Sequence, residues 1–557
     1  MSTRAAGHGT DARSVAEARQ RTRGLGWGRG WGWGRRRGSV LDASAIGWRD
    51  RVLAMGVVVA LVGLFARIMR YPLRHDEQMY LPVGAMLGQG DMYRDFGFNN
   101  FPNLPWLLHL VYGLTGTHHY LLAGRLVIFG GWLLAALAIA AIAWRASRSI
   151  AGVALAVLAL VTNPLLLGPP GMIVSNNFLP IAFALLAILA FVDGVDRPVP
   201  DRSRLLAAGL CLGIAAGFKA NTIYLLPPFA LAALLLPVAA TWAVRWRRVT
   251  MPFVVGGLVG AAPLLGHMLA DPAGFIAHTV GYHRGPHMAY WAANAALDGE
   301  KILTAGGKLR LAETAWLSGP SLLLLLCVIL LALAARRPRT ESPSWPVLLV
   351  AALSVGAVLV SFVPTPAFPQ YYAAPVPLGI ALAALLYQRI DPAAREALVL
   401  PLRAGGVLLL VTGAPRLLAD LPALAQPSQW TGLAVHAEAR RLAGLVGSGK
   451  VATLAPIHPL EAGLAIYPEL AAGPLAYRIG DLIPAPDRRH YARLVSPTTI
   501  TGVLARDPPQ AILVGQEGDL DAPFEAFAKA NGYRRVPRPL VVDRHGALVV
   551  WLQPPRD

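Results

Sequence analysis

Apolar residues run in long blocks along most of this chain, broken by short clusters of arginine, glycine and proline. A bilayer core needs about 20 consecutive apolar residues per helix. Blocks of that kind fall near 52–69, 121–144, 150–167, 178–193, 204–218, 222–240, 251–269, 316–335, 345–363, 371–388 and 404–421. The pattern predicts a polytopic α-helical membrane protein with about eleven transmembrane helices across residues 51–425. Prolines inside the blocks (Pro227, Pro228, Pro263) are compatible with this, because neighbouring helices can re-satisfy the backbone. Past residue 425 the pattern shortens. Val451–Leu454, Ala511–Val514 and Ala547–Leu552 read as strands. Leu433, Val435, Ala439, Leu442 and Val446 follow helical spacing, and Ala522–Asn531 reads as a helix closed by Gly532. Residues 426–557 are therefore expected to form a small α/β domain. Residues 1–50, with the Gly/Trp/Arg run Gly26–Arg37, are expected to be a disordered basic tail.

Composition sharpens this picture. Of 557 residues, 55% are hydrophobic and 15% charged, which excludes an ordinary soluble enzyme and a disordered protein. The net charge of +19 invites a nucleic-acid reading until the arginines are located. The first 51 residues hold eleven arginines against four acidic residues. Arg145 and Arg148; Arg197, Arg202 and Arg204; Arg245, Arg247 and Arg248; Arg336, Arg337 and Arg339; and Arg389, Arg395 and Arg403 occupy alternate loops on the same side. That is the positive-inside signature. It predicts a bacterial inner-membrane protein with a cytoplasmic N-terminus, a periplasmic C-terminus and membrane lipids rather than nucleic acid as partners. Cys211 and Cys327 both sit inside apolar blocks, which excludes a disulfide scaffold.

Chemistry is then sought in the outer loops, 71–120 and 271–313. The first carries Arg74-His75-Asp76-Glu77, Tyr93-Arg94-Asp95-Phe96 and Asn99-Asn100-Phe101-Pro102-Asn103. Tyr80–Leu87 and Pro105–Leu114 are apolar but too short to span, as interfacial helices would be. A carboxylate at the end of a membrane helix is well placed for general-base work. The second loop carries Tyr282-His283-Arg284 and Tyr290-Trp291, which suit phosphate and sugar recognition or interface anchoring. Lys219 is the only lysine in the predicted spans, and an intramembrane charge marks a functional position by default.

The Asp-Glu pair at the outer end of the first helix, the Tyr-Arg-Asp-Phe segment and the Pro/Asn-rich approach to the second helix resemble the GT-C glycosyltransferases. The likeness is to the glycosyltransferase family 39 group of protein O-mannosyltransferases and lipid A aminoarabinose transferases. The helix Gly213–Phe218 ending in Lys219, and the segment Pro364–Tyr372 before a late helix, resemble the same group. The resemblance implies transfer of a sugar from a polyprenyl-phosphate donor to a glycan, lipid or protein acceptor outside the membrane. It implies Asp76 as general base, with Glu77 positioning either Asp76 or the acceptor. Asp95 and Arg94 would contact acceptor or donor, with Lys219, His283, Arg284, Tyr371 and Tyr372 toward the donor. A divalent metal on Asp76, Glu77, Asp91 and Asp95 is left open. A transporter or flippase for lipid-linked sugars, or a non-catalytic polysaccharide-assembly subunit, is the alternative. Two signals are declined. Gly444–Lys450 has phosphate-loop spacing, but Val451 replaces the hydroxyl residue and the order is helix, loop, strand. His118 and His119, read as helical neighbours, would point different ways, which argues against zinc there.

Overall fold

The computed structural model describes residues 47–297, 303–335, 344–491 and 493–555. Each predicted apolar block carries a helix. In chain order the helices of the block regions and the segments between them include α1 (Trp48–Arg70), α2 (Glu77–Met86), α3 (Asn103–Thr115), α4 (Tyr120–Ser147), α5 (Ile150–Val161), α6 (Leu179–Val195), α7 (Arg202–Phe218), α8 (Leu226–Leu235) and α9 (Met251–Gly260). There follow α10 (Ala262–Ala270), α11 (Ala305–Trp316), α12 (Gly319–Ala334), α13 (Trp345–Ser361), α14 (Pro375–Gln388), α15 (Pro392–Leu418) and α16 (Thr431–Val446).

Among the described residues, four helical stretches are long and apolar enough to cross a bilayer: Trp48–Arg70, Tyr120–Ser147, Pro369–Gln388 and Pro392–Leu424. Two bent pairs, Trp242–Gly260 with Ala262–Ala270 (66°) and Ala305–Trp316 with Gly319–Ala334 (79°), bring the number to six if each is one span. Ile150–Val161, Leu179–Val195, Ala220–Leu235 and Trp345–Ser361 are shorter apolar helices.

Glycines set the closest helix contact. A Cβ on Gly209 would come within 1.9 Å of the Phe253 carbonyl oxygen, and one on Gly213 within 2.1 Å of that of Gly257. From the other side, Cβ atoms on Gly256 and Gly260 would lie 2.0 and 2.2 Å from the Leu206 and Leu210 carbonyls. The backbones of α7 and α9 therefore touch, as small residues allow where lipid offers no hydrophobic drive for association.

The helices also separate the two ends of the bundle. Arg145 at the end of α4 and Arg204 at the start of α7 both pair with Asp193 at the end of α6. Lys219 caps the opposite end of α7, about 25 Å away at 1.5 Å rise per residue. The basic loops and Lys219 thus lie at opposite ends of the bundle.

Residues after α16 form an α/β unit with strands β1 (Lys450–Thr453), β2 (Ala465–Ile466), β3 (Ala511–Val514), β4 (Arg534–Arg535), β5 (Val541–Asp543) and β6 (Gly546–Leu552). The order is β2-β1-β3-β6-β4, with β5 also on β6. β1 is parallel to β2 and β3, and β6 is antiparallel to its neighbours. Helix Ala522–Ala530 ends at Gly532, whose φ of +71° is the left-handed cap expected there. This unit docks on the loops at the Lys219 end. The Ile457 amide donates to Gln78 (3.0 Å), Tyr282 donates to the Leu475 carbonyl (3.1 Å), and Tyr491 to that of Ala277 (2.8 Å).

Several expectations are corrected. Residues 48–50 are already helical, so the tail is shorter than 1–50; residues 1–46 and Arg336, Arg337 and Arg339 lie outside the described residues. Segment 271–313 is largely helical rather than loop in its described part. The last block begins at Pro392, not 404, so Arg395 and Arg403 ride on a helix. Proline at its first position and the Ala/Glu/Leu run behind it favour that early start. His118 and His119 precede α4 in a loop. α3 matches the interfacial reading, with Trp106, Leu110 and Leu114 exposed along one face. α2 does not. Nine of its ten residues are buried, packed against α3 and α4 and against the helix Ile457–Glu461 of the C-terminal unit.

Candidate active site

The chain leaves α1 at Arg70 and turns into α2 through Arg74–Asp76. The turn is held by backbone bonds from Glu77 to Arg74 (3.0 Å) and from Met79 to Asp76 (3.1 Å). Asp76 takes helical φ and ψ and its side chain does not cap the helix. Its carboxylate makes no hydrogen bond among the described residues, and it keeps partial access to solvent. Protein surrounds it closely enough that burial raises its pKa above the ordinary carboxylate value. The nearby charges of His75, Lys219, Arg478 and Arg74 pull the other way.

Glu77 faces the opposite way. It is fully buried and makes a two-point bond with the equally buried Arg125 of α4 (Oε1–Nε 2.6 Å, Oε2–Nη2 2.7 Å). It also accepts from the Val174 and Arg74 amides at 3.0 and 3.2 Å, while Arg125 donates to the Ile68 carbonyl at 2.6 Å. One carboxylate thereby ties α1, α2, α4 and the segment before α6 together. These bonds occupy both of its oxygens, so it fixes the backbone on which Asp76 stands.

Lys219 ends α7 in an extended conformation that breaks the helix. Its ammonium donates to the Asn177 side chain and lies 4.6 Å from the centre of the Tyr371 ring. These three residues, with Asn221, Thr222 and Gln370, form the polar part of a small cavity of about 40 Å³. Ile181, Leu225 and Val360 form part of its apolar wall. Polar groups that suit a charged headgroup and apolar side chains that suit hydrocarbon thus line the same cavity.

The remaining predicted residues divide. His283 hydrogen-bonds to the Asn99 carbonyl at 3.0 Å; burial lowers its pKa, that bond opposes the change, and Lys219 adds to it. It therefore joins the Lys219 side of the site. Arg284 is exposed. Tyr371 lines the cavity, but Tyr372 turns away to bond the Lys308 carbonyl (3.1 Å) and pack on Trp316 and Phe362. Asp95 accepts from the Asp91 amide (2.8 Å) and Arg94 (3.2 Å) in a surface turn, which lowers its pKa. Asp76, Lys219 and Tyr371 are brought together; Glu77, Tyr372 and the Arg94–Asp95 turn make their bonds elsewhere. Nor do Asp76, Glu77, Asp91 and Asp95 converge as a four-carboxylate metal set: Glu77 is saturated by Arg125, and Arg94 pairs with both Asp91 and Asp95.

Other residues emerge only from the fold. Asn176 bridges the Asn100 side chain (3.1 Å) and the Phe218 carbonyl (3.2 Å), and Asn177 receives Lys219. Ser175-Asn176-Asn177 is a buried polar triplet in an apolar run, a signal the sequence carried. Arg478, from the C-terminal unit, reaches the surroundings of Asp76 while lying 4.9 and 4.6 Å from the rings of Tyr290 and Trp291.

No protein-family model matches the chain, and no curated protein matches it. Solved structures do. The crystal structure of ArnT from Cupriavidus metallidurans bound to undecaprenyl phosphate aligns with a TM-score of 0.58 at 16% identity. It covers 92% of this chain and 100% of that one. The apo ArnT structure aligns with a TM-score of 0.60 at the same identity and coverage. The chain has a GT-C fold. The fold implied by the first-loop motif is thus the fold observed, and it is that of a membrane protein with apolar helices.

Proposed function

We propose that this protein is an integral-membrane glycosyltransferase that takes a sugar from a polyprenyl-phosphate donor and passes it to a glycan, lipid or protein acceptor at the outer membrane face. The observation that carries the reading is a carboxylate, Asp76, within electrostatic reach of Lys219, which itself lines a small cavity with polar and apolar walls. The ArnT structure of the same fold was solved with undecaprenyl phosphate, which supports a donor of that class.

In this reading the donor's isoprenoid chain lies along Ile181, Leu225 and Val360, and its phosphate meets Lys219 and Tyr371, with His283 and Arg284 nearby. The Asp76 carboxylate, free of hydrogen bonds to the described residues, takes the proton of the acceptor hydroxyl as that oxygen attacks the anomeric carbon. The sugar–phosphate bond breaks, and the phosphate leaves as the anion that Lys219 stabilises. Glu77 holds Asp76 in place through the backbone. Arg94 and Asp95 offer a polar rim for the acceptor. The Arg145, Arg197 and Arg245 end faces the cytoplasm, so the C-terminal unit stands in the periplasm of a bacterial inner membrane.

The test uses purified protein in lipid nanodiscs with radiolabelled polyprenyl-phosphate sugars and a cell-envelope extract. Label on a new acceptor is expected. General-base catalysis is worth about 10²–10⁴ in rate, so Asp76→Asn is expected to lose transfer by that factor while remaining folded. Wild-type turnover by folded Asp76→Asn refutes the assignment. Movement of intact donor across liposomes without transfer would instead make the protein a transporter.

A further inference from the structure

The fold brings His119, from the loop before α4, against His436 of α16 and Glu461 of the short helix Ile457–Glu461. One ligand-competent atom from each lies within 4.8 Å of the other two. These residues are far apart in sequence and meet at the seam between the helix bundle and the C-terminal unit. We infer that His119, His436 and Glu461 bind one zinc ion that fastens the C-terminal unit to the bundle.

Three observations support a ligand here. The Glu461 side chain is completely buried. Its partners are the Leu121 amide on one oxygen (2.8 Å) and the His436 ring on the other (3.1 Å), with no lysine or arginine bonded to it among the described residues. A buried carboxylate without a cation is costly, and a divalent ion supplies the missing charge. His119 Nδ1 is buried and has no hydrogen-bond partner among the described residues, which leaves it open to a ligand. The Leu121 amide also does what outer-shell groups do at metal sites: it fixes the carboxylate through one oxygen, and the ion would take the place of the direct His436 contact on the other.

The donor set selects the ion. Two imidazoles and one carboxylate suit zinc, with a water completing a four-coordinate site, and suit magnesium or calcium poorly. The two rings stack with centroids 3.6 Å apart and planes at 26°. Convergence on one ion at about 2.1 Å requires each ring to turn about χ2, a broad torsion. The histidine–histidine spacing thus arises from tertiary structure, not from the adjacent pair His118–His119.

This inference is independent of the proposed transfer reaction. Full-length protein in detergent, freed of any affinity tag and stripped with EDTA, is titrated with zinc against a chromophoric chelator. One tight equivalent per chain is expected. His119→Asn with His436→Asn is expected to weaken it by at least about tenfold, and Asp76→Asn is expected to leave it intact. Zinc should also raise the melting temperature and slow proteolysis between the bundle and the C-terminal unit. Failure of the wild type to hold zinc against the chelator overturns the inference, as does full affinity in the double variant. Should the double variant not fold, cobalt-substituted wild type decides. Visible d–d absorption of a low-coordinate site that shifts in Glu461→Gln supports the site, and no such absorption refutes it. Loss of transfer activity alone bears on Asp76 and Lys219 and leaves the zinc result standing.

Discussion

Glu77→Gln isolates what the buried ion pair contributes. The variant keeps the shape of the side chain and removes its charge. Arg125 is then left almost wholly buried, bonded to the Ile68 carbonyl and a neutral amide. Removing one member of a buried pair costs about 3–5 kcal/mol, because the remaining charge stays out of water. Over 557 residues, an unfolding entropy of about 2.1 cal/mol/K per residue gives about 1.2 kcal/mol/K for complete unfolding. A 4 kcal/mol loss then lowers Tm by about 3 °C. That is a floor, since helices that remain in detergent reduce the entropy and enlarge the shift. The assay is thermal aggregation of detergent-solubilised protein followed by size-exclusion chromatography, alongside Asp76→Asn. Glu77→Gln should lose stability and activity together, whereas Asp76→Asn should lose activity only. A Glu77→Gln protein with unchanged melting refutes the structural role assigned to the pair. Unchanged melting with turnover reduced to the Asp76→Asn level would move Glu77 into the chemistry.

Other outcomes follow from the same geometry. Lys219→Met should raise the donor KM at least about tenfold, read by donor titration, since a charge-assisted contact of about 1.5–3 kcal/mol is lost. Burial raises the Asp76 pKa, and a base works only when deprotonated. Activity should therefore fall on acidification through a pKa above the ordinary carboxylate value, and the same profile run on Glu77→Gln should keep that limb. Gly213→Leu should block contact between α7 and α9 and abolish a monodisperse elution peak, because a Cβ at that site meets backbone at 2.1 Å. Tyr371→Ala should weaken donor binding through loss of the ring beside Lys219. Tyr372→Phe removes one hydrogen bond to the Lys308 carbonyl and should cost stability of about 0.5–1.5 kcal/mol with little change in donor KM.

The sequence by itself determined what depends on local pattern. Apolar block length located the helices, arginine placement separated the two ends of the bundle, and alternation with turn residues marked β3 and the helix ending at Gly532. The first-loop motif pointed to the fold, and Asp76 and Lys219 were legible because a charge beside an apolar run is costly and therefore informative. Tertiary structure decided which adjacent residues share a site. Asp76 and Glu77 are neighbours, yet one lies in the field of Lys219 and the other bonds Arg125; Tyr371 and Tyr372 divide in the same way. In α2 a step of one residue turns a side chain by about 100°, and only the neighbouring helices determine which direction leads to the cavity. Arg478, Asn177 and the His119–His436–Glu461 cluster depend on contacts between distant segments. No local pattern encodes such contacts: Arg478 and the His119–His436–Glu461 cluster come together only when the C-terminal unit closes over the end of the bundle, and Asn177 meets Lys219 only when α7 packs beside the segment before α6.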